Sequence, residues 1–153
     1  MTELPWAARF WSKVDKSGNC WTWQASRQHY GHGQIKIEGK NRLAHRVSYE
    51  LANGSIPEDL VIDHVCHNPP CVNPAHLRAV TQKQNIENQL GANRSSKSGI
   101  RGVRFDPRRK KWRAEIKHHG HRISVGSFLT SEAAQKAVVA ARNKVFTHND
   151  SDR

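Results

Sequence analysis

The side chains best suited to chemistry lie in one short stretch, DHVCHNPPCVNPAHL, at residues 63–77. Four residues separate Cys66 from Cys71, and four more separate Cys71 from His76. Thiolate and imidazole ligands at loop-length spacing suit tetrahedral zinc. The prolines of this stretch break any helix or central strand. The sequence therefore predicts a bent loop that holds a structural zinc ion.

A fourth zinc ligand is needed from outside the loop. Cys20 is the candidate, with His67 and His45 as alternatives. The metal would then pin an early strand to the loop, which suits a domain with a small core. The other interpretation is that the cysteines are buried thiols without a ligand role. An odd count of 3 cysteines argues against a disulfide framework.

Residues beside the loop could perform hydrolysis. Asp63 and His64 come directly before it, and Asn85 follows in the next predicted helix. A histidine with a pKa near neutrality can take a proton from water. An amide oxygen, helped by a carboxylate, can hold Mg²⁺ or another divalent cation. One such cation and one histidine are sufficient to hydrolyse a phosphodiester.

Alternating and helical patterns place these residues on short elements. In the first part of the chain, His64 ends a strand that enters the loop, and a Thr-x-x-Gln capping box begins a helix near Thr81. The predicted elements there are strands at 20–24, 33–39, 60–64 and 77–80 and helices at 43–53 and 81–89.

The sequence pattern of the second part of the chain predicts three antiparallel strands followed by one helix. The helix begins at Ser131, and its buried stripe is Ala134, Val138, Ala141 and Val145. The predicted strands are 100–105, 112–118 and 122–128. We therefore predict an α+β fold in which a zinc-stapled domain precedes a three-stranded sheet with one packed helix.

The small polar stretch GANRSSKSG indicates a linker. The predicted division is a first domain at 1–90, a linker at 91–99 and a second domain at 100–148. The last residues, 148–153, are expected to fray.

The chain of 153 residues has a net charge of +12, and this charge is distributed unevenly along it. Residues 1–90 carry 10 Lys and Arg against 8 Asp and Glu, whereas residues 91–153 carry 15 against 5. Such a concentration of positive charge indicates a polyanionic partner, most commonly nucleic acid. Apolar runs long enough to span a membrane are missing, so we expect a soluble, cytoplasmic protein without a membrane partner.

The first part resembles the HNH, or ββα-metal, nucleases. The residues that carry the resemblance are AHR at 44–46, IDHVCHNPPCVNPAHL at 62–77 and AVTQKQN at 79–85. The HxCxxxxCxNPxHL form is especially similar to His-Cys box and phage-type members. The resemblance implies a general base at His64, Mg²⁺ ligands at Asn85 and Asp63, and zinc ligands at Cys20, Cys66, Cys71 and His76.

An arginine near the scissile phosphate is also expected, because it would stabilise the charged transition state. Arg42 follows a predicted strand at a fitting place, and Arg46 is the alternative. Either arginine could instead be an ordinary surface charge.

The second part resembles the AP2 DNA-binding domain over residues 99–147. GIRGVRFDP, KWRAEIK, RISVGSF and SEAAQKAVVAAR carry the resemblance. It implies a three-stranded sheet laid in the major groove of double-stranded DNA. Arginine can bind guanine edges and glutamate can accept from cytosine. The predicted contact residues are Arg101, Arg104, Arg113, Glu115, Lys117 and Arg122.

The leading hypothesis is a metal-dependent DNA endonuclease of homing or phage type, working in a bacterial or phage-infected cell. A homodimer is one way in which a single-site enzyme could cut both strands. The second hypothesis is a DNA-binding regulator with an inactive, zinc-structured HNH domain. An RNA-binding role is disfavoured, because no strand carries exposed aromatic pairs that would stack unpaired bases.

Overall fold

The computed structural model describes residues 4–153 and confirms the predicted α+β fold. The chain forms two compact units that divide between Gln82 and Lys83. The stretch 91–99 lies within the second of these units, and the domain limits of 1–90 and 100–148 stay a prediction. Over the described residues, every helix is too short or too polar to cross a membrane.

The first unit contains short antiparallel pairs that link β1 to β2, β3 to β4 and β5 to β6. Its elements are α1 (Ala7–Trp11), β1 (Val14–Asp15), β2 (Thr22–Trp23), β3 (Gln34–Ile37), β4 (Lys40–Leu43), α2 (Ala44–Asn53), β5 (Val61–His64) and β6 (Leu77–Val80). The sequence predicted β2, β3, α2, β5 and β6 but missed α1, β1 and β4. These three are short, so each shows little periodicity.

The hydrophobic core of the first unit is built around Trp23 and Phe10, both fully buried. Val47 from α2 and Val72 from the proline-rich loop pack against them. Gly33 allows the chain to pass over the indole, because a Cβ at this position would lie 2.5 Å from Cδ1 of Trp23. Through Val72, the proline-rich loop is attached to the core of the first unit.

The second unit contains the three-stranded sheet. Its elements are α3 (Gln82–Glu87), which begins at the division, then β7 (Val103–Asp106), β8 (Lys111–His118), β9 (His121–Phe128) and α4 (Ser131–Val145). The strands pair antiparallel in the order β7-β8-β9. Helix α3 ends at Glu87, two positions before the predicted end at residue 89. Thr130 caps α4 by accepting from the amide of Ala133 at 3.2 Å.

One face of the sheet packs on α4. Val103, Ala114 and Ile116 from the strands meet Ala134 and Val138 from the helix, and all five side chains are buried. Because side chains alternate along a strand, the residues between them must face the other way. The opposite face is therefore polar, as the sequence predicts.

The expectation that the carboxyl-terminal residues fray is wrong. Asn149 is fully buried, and Asp150–Asp152 form a 3-10 turn. Nε and Nη2 of Arg142 donate to the two carboxylate oxygens of Asp152 at 2.5 and 2.9 Å. Arg142 is buried in α4, and a buried guanidinium needs a compensating partner. The tail supplies that partner and is ordered by it.

Candidate functional site

The four predicted zinc ligands converge in the first unit. Cys20, Cys66, Cys71 and His76 place their ligand atoms within 4.8 Å of one another. Nδ1 of His76 lies 3.6 Å from Sγ of Cys20 and 3.6 Å from Sγ of Cys71. Ligand atoms around tetrahedral zinc are separated by roughly 3.4–3.8 Å, given Zn–S near 2.3 Å and Zn–N near 2.0 Å. The group could therefore bind zinc, whereas the alternatives His67 and His45 lie outside it.

Burial controls the ionisation of the thiols in this cluster. Burial raises the pKa of Cys71 to about 12, and burial likewise raises the pKa of Cys66. A hydrogen bond from the side chain of Asn68 lowers the pKa of Cys20. Two of the three thiols thus resist ionisation when no positive charge is near. A divalent cation would reverse that preference, because coordination deprotonates thiols outright.

Backbone bonds hold the zinc loop against the early strand. The amide of Val72 donates to the carbonyl of Trp21 at 2.7 Å, and the amide of Trp23 donates to the carbonyl of Pro70 at 2.9 Å. Asn73 adds a side-chain bond of 2.9 Å from Nδ2 to the carbonyl of Asn19. These contacts explain how Cys20 reaches ligands more than forty positions away.

His64, the predicted general base, lies at the end of β5 and is only 8% exposed. Its Nε2 lies 3.0 Å from the carbonyl oxygen of Cys71. A carbonyl can only accept, so Nε2 carries the proton and donates it in this bond. The neutral ring then keeps its lone pair on Nδ1. Burial lowers the pKa of His64, which favours this neutral form.

Two further histidines, which the sequence did not place there, lie beside His64. The ring centroids of His45 and His32 lie 4.8 and 5.5 Å from that of His64. Burial lowers the pKa of His45 to about 3, and burial also lowers the pKa of His32. Both neighbours are thus neutral at physiological pH. The AHR motif at 44–46 was the available signal, but it does not reveal which group His45 contacts.

Asp63, one predicted Mg²⁺ ligand, faces away from His64 because the two are consecutive in β5. Nε and Nη2 of Arg78 each lie 2.9 Å from its Oδ2, and Arg78 is its register partner on β6. Asp63 is 6% exposed. The structure therefore places this carboxylate in a buried ion pair.

The predicted catalytic arginine also has a carboxylate partner. Arg42 lies in β4, and its Nη2 contacts Oε2 of Glu50 in α2. The alternative, Arg46, lies in α2 next to His45, whose pKa its charge helps to lower. The structure therefore gives Arg42 a defined local partner, which the sequence did not indicate.

Asn85, the other predicted Mg²⁺ ligand, lies on α3 and is half-buried. His64 belongs to the first compact unit and Asn85 to the second. The two residues predicted to act on one phosphodiester are thus carried by different units of the chain.

The polar face of the sheet presents most of the predicted DNA contacts. Arg104 pairs with Arg113 across β7 and β8, and Lys117 pairs with Arg122 across β8 and β9. Glu115 lies between them and forms ion pairs at 3.6 Å with Arg104 and 3.3 Å with Arg122. A register shift after Ala114 keeps this face polar along β9.

Arg101 is placed differently from the other five predicted contacts. It precedes β7, and its guanidinium donates to backbone carbonyls of the second unit: those of Ile86, Glu87 and Gln89, at 2.8, 3.1 and 2.6 Å. Arg101 shares strand parity with the buried Val103, so it could face DNA only if the strand were bent at its start. In the structure β7 begins after it, at Val103.

Comparison with known families confirms the resemblance read from the sequence. Residues 42–86 match the model of the HNH endonuclease family, and residues 98–146 match that of the AP2 domain. The first match contains Cys66, Cys71, His76, His64 and Asn85, and the second contains the whole sheet and α4. No solved structure gives a significant match.

Similar proteins are found in bacteriophages. Protein 7.7 of Escherichia phage T7 is 34% identical over 79 residues, which cover 52% of this chain and 61% of that protein. Protein 2.8 of the same phage is 38% identical over 87 residues, which cover 56% of this chain and 58% of that protein. This chain thus spans about three fifths of the relatives' lengths. Residues 42–86 of the chain are thus similar to HNH endonucleases, and residues 98–146 are similar to AP2 domains.

Proposed function

We propose that this protein is a metal-dependent DNA endonuclease that hydrolyses phosphodiester bonds. The observation that carries the proposal is the placement of His64 within the HNH segment. The bond from its Nε2 to the carbonyl of Cys71 leaves the lone pair of Nδ1 for a proton. A neutral imidazole with a fixed tautomer has the free lone pair that a general base requires.

In the proposed reaction, Nδ1 of His64 takes a proton from a water molecule. The water oxygen forms a bond to phosphorus as the bond between phosphorus and the leaving oxygen breaks. The carbonyl of Cys71 holds the resulting imidazolium through Nε2, and the neutral rings of His45 and His32 add no opposing charge. A divalent cation, when bound, supplies charge stabilisation at the phosphate and the leaving oxygen.

The ligands that we propose for this cation, Mg²⁺ or a similar ion, are Asn85 and Asp63. Asn85 offers an amide oxygen, which suits a hard cation. The charge of Asp63 is shared with Arg78, so we assign it the smaller part. We propose Arg42 as the arginine that stabilises the charged phosphate in the transition state, with Arg46 as the alternative. To reach the phosphate, Arg42 would have to leave its ion pair with Glu50.

The proposed substrate is double-stranded DNA, held on the polar face of the sheet. Arg104, Arg113, Lys117 and Arg122 project on that face with Glu115 among them. A two-stranded cut by one active site requires a second copy or a second encounter, so we propose a homodimer for that outcome. The phage relatives support a place of action in a phage-infected host cell.

The activity itself is tested by incubating the purified chain with supercoiled plasmid and phage DNA. We expect nicked or linear products with Mg²⁺, and none after the addition of EDTA. Zinc should stay bound when Mg²⁺ is instead removed by dialysis without a chelator and then returned. Intact DNA over a range of divalent metals and substrates would contradict the endonuclease proposal.

DNA binding by the sheet is tested with a pair of lysines. Lys117 lies on the polar face and Lys136 lies exposed on α4. We expect Lys117→Ala to weaken duplex binding and to reduce the slope of log K against log salt by about 1, because one phosphate contact is lost. Lys136→Ala makes the same charge change away from the sheet. Fluorescence anisotropy over a salt series measures both, and equal effects would exclude the sheet as the binding face.

A DNA-binding regulator is the second candidate function. The observation that favours it is that Asp63 and Arg42, two of the predicted catalytic groups, are both engaged in ion pairs. On this alternative, zinc would stabilise an HNH fold that no longer cuts. Sequence-dependent binding without cleavage of the bound DNA would be its signature.

A further inference from the structure

The carboxyl end of α3 is closed by one arginine. Nη1 of Arg101 donates to the carbonyls of Glu87 and Gln89 at 3.1 and 2.6 Å, and Nη2 donates to that of Ile86 at 2.8 Å. The last carbonyls of a helix lack intrahelical partners and carry partial negative charge. A cation that binds the carbonyls of Ile86 and Glu87, and that of Gln89 just beyond the helix, fixes where the helix ends.

The side chain of Glu87 is held from a second direction. This carboxylate is 3% exposed. Its Oε2 accepts from the amide and the hydroxyl of Thr147 at 3.2 and 3.5 Å. Its Oε1 lies 2.8 Å from Nζ of Lys83 and 3.4 Å from Nδ1 of His118. A buried carboxylate with this many donors is costly to displace, because removing it leaves donors unsatisfied.

A third attachment comes from the carboxyl-terminal tail. Asn88 is 1% exposed, and its Oδ1 accepts from the amide of Asp150 at 3.0 Å. Arg142 links this tail to the Arg101 region, since it binds Asp152 and donates to the carbonyl of Arg101 at 2.9 Å. We call the following set the α3 clasp: Glu87, Asn88, Arg101, Thr147 and Asp150.

We propose that Glu87, Asn88 and Arg101 are positioning residues for Asn85, so that bonds within the second unit set where this proposed cation ligand is held. Asn85 lies two positions before Glu87 on the same short helix. The clasp fixes this helix relative to the sheet that is proposed to hold DNA. The inference rests on the proposed function, in which Asn85 is a cation ligand. It assigns to the second unit a role in addition to its proposed affinity for DNA.

The proposal differs from simple helix capping in what it predicts for the cation. Capping alone would change stability, whereas positioning changes the Mg²⁺ concentration at which cleavage is half-maximal. We expect Glu87→Gln to raise that concentration about tenfold, within the range seen when residues coupled to a site are changed. Saturating Mg²⁺ should restore most of the rate, and zinc content and duplex affinity should stay as in the wild type.

Two further variants complete the experiment. Glu132→Gln makes the same chemical change at an exposed position of α4 and should not alter the Mg²⁺ requirement. Thr147→Val removes the hydroxyl contacts to Glu87 and to Nδ1 of His148 and keeps the amide bond to Glu87, so it decides the matter if Glu87→Gln fails to fold. We expect it to raise the half-maximal Mg²⁺ concentration about threefold.

The outcomes separate the two proposals. If the wild type cuts DNA and both clasp variants keep its Mg²⁺ requirement, the positioning role is overturned and the endonuclease stands. A wild type that binds DNA and never cuts overturns both. A raised Mg²⁺ requirement in the clasp variants, with that of Glu132→Gln unchanged, supports the positioning role.

Discussion

Replacing His64 by alanine is expected to lower the rate of DNA cleavage by a factor of about 10²–10⁴, the usual contribution of a general base. The reason is specific to one atom. Nε2 is occupied by the carbonyl of Cys71, so Nδ1 is the group that can accept the proton of water. Single-turnover cleavage of a bound duplex measures the chemical step without product release.

The matched control is His29→Ala, because His29 is an exposed histidine of the same unit. It should cleave at the wild-type rate. The His64 variant should keep its zinc and its duplex affinity, since the zinc ligands and the sheet are untouched. Cleavage by His64→Ala within a few fold of the wild type would exclude this residue as the base. Loss of DNA binding would contradict the division of roles between the units.

The zinc cluster could be predicted from the sequence because the type and spacing of three of its ligands are typical of zinc sites. Cys66, Cys71 and His76 occur within eleven residues in a proline-rich segment. The proposal of Cys20 depended on a domain that needs a staple, and the structure brings it to the group. The sheet was predictable for a similar reason, since each strand alternates cleanly between apolar and polar residues.

Partners of charged residues were much harder to foresee. Nothing near Arg42 in sequence indicates that Glu50 will meet it, and Arg78 meets Asp63 only because β5 and β6 pair in one register. Arg101 was predicted as a DNA contact from its motif, yet its guanidinium binds the end of α3. An arginine in a basic stretch gives no sequence signal for which anion or carbonyl it will select.

Irregular and terminal segments were hard to predict for another reason. Residues 91–99 and 148–153 have no periodicity, so composition alone indicated a linker and a frayed tail. The structure orders the tail through Asp152 and the buried Arg142. Polar segments of this kind gain order from a few specific bonds to buried charges, and hydrophobic patterning does not record such bonds.

Substituting Cys66 with serine is expected to release the zinc and unfold the first unit. Structural zinc contributes about 10–16 kcal/mol of apparent binding free energy in small zinc peptides. That is comparable with the whole stability of an ordinary domain, about 5–15 kcal/mol. Elemental analysis should show the loss of zinc, and calorimetry should show the loss of the first unit's unfolding transition. The control is Val65→Ser, which introduces the same residue at an exposed neighbouring position.

The same substitution should abolish cleavage, although Cys66 is not proposed to touch DNA. The link is Cys71, which offers its sulfur to the metal group and its carbonyl to Nε2 of His64. When the loop loses its metal, that carbonyl is no longer fixed and the tautomer of His64 is no longer selected. Cleavage and zinc content should therefore fall together along a titration with a zinc-selective chelator at saturating Mg²⁺. Full activity in a zinc-free, folded protein would show that the loop orients His64 without a metal.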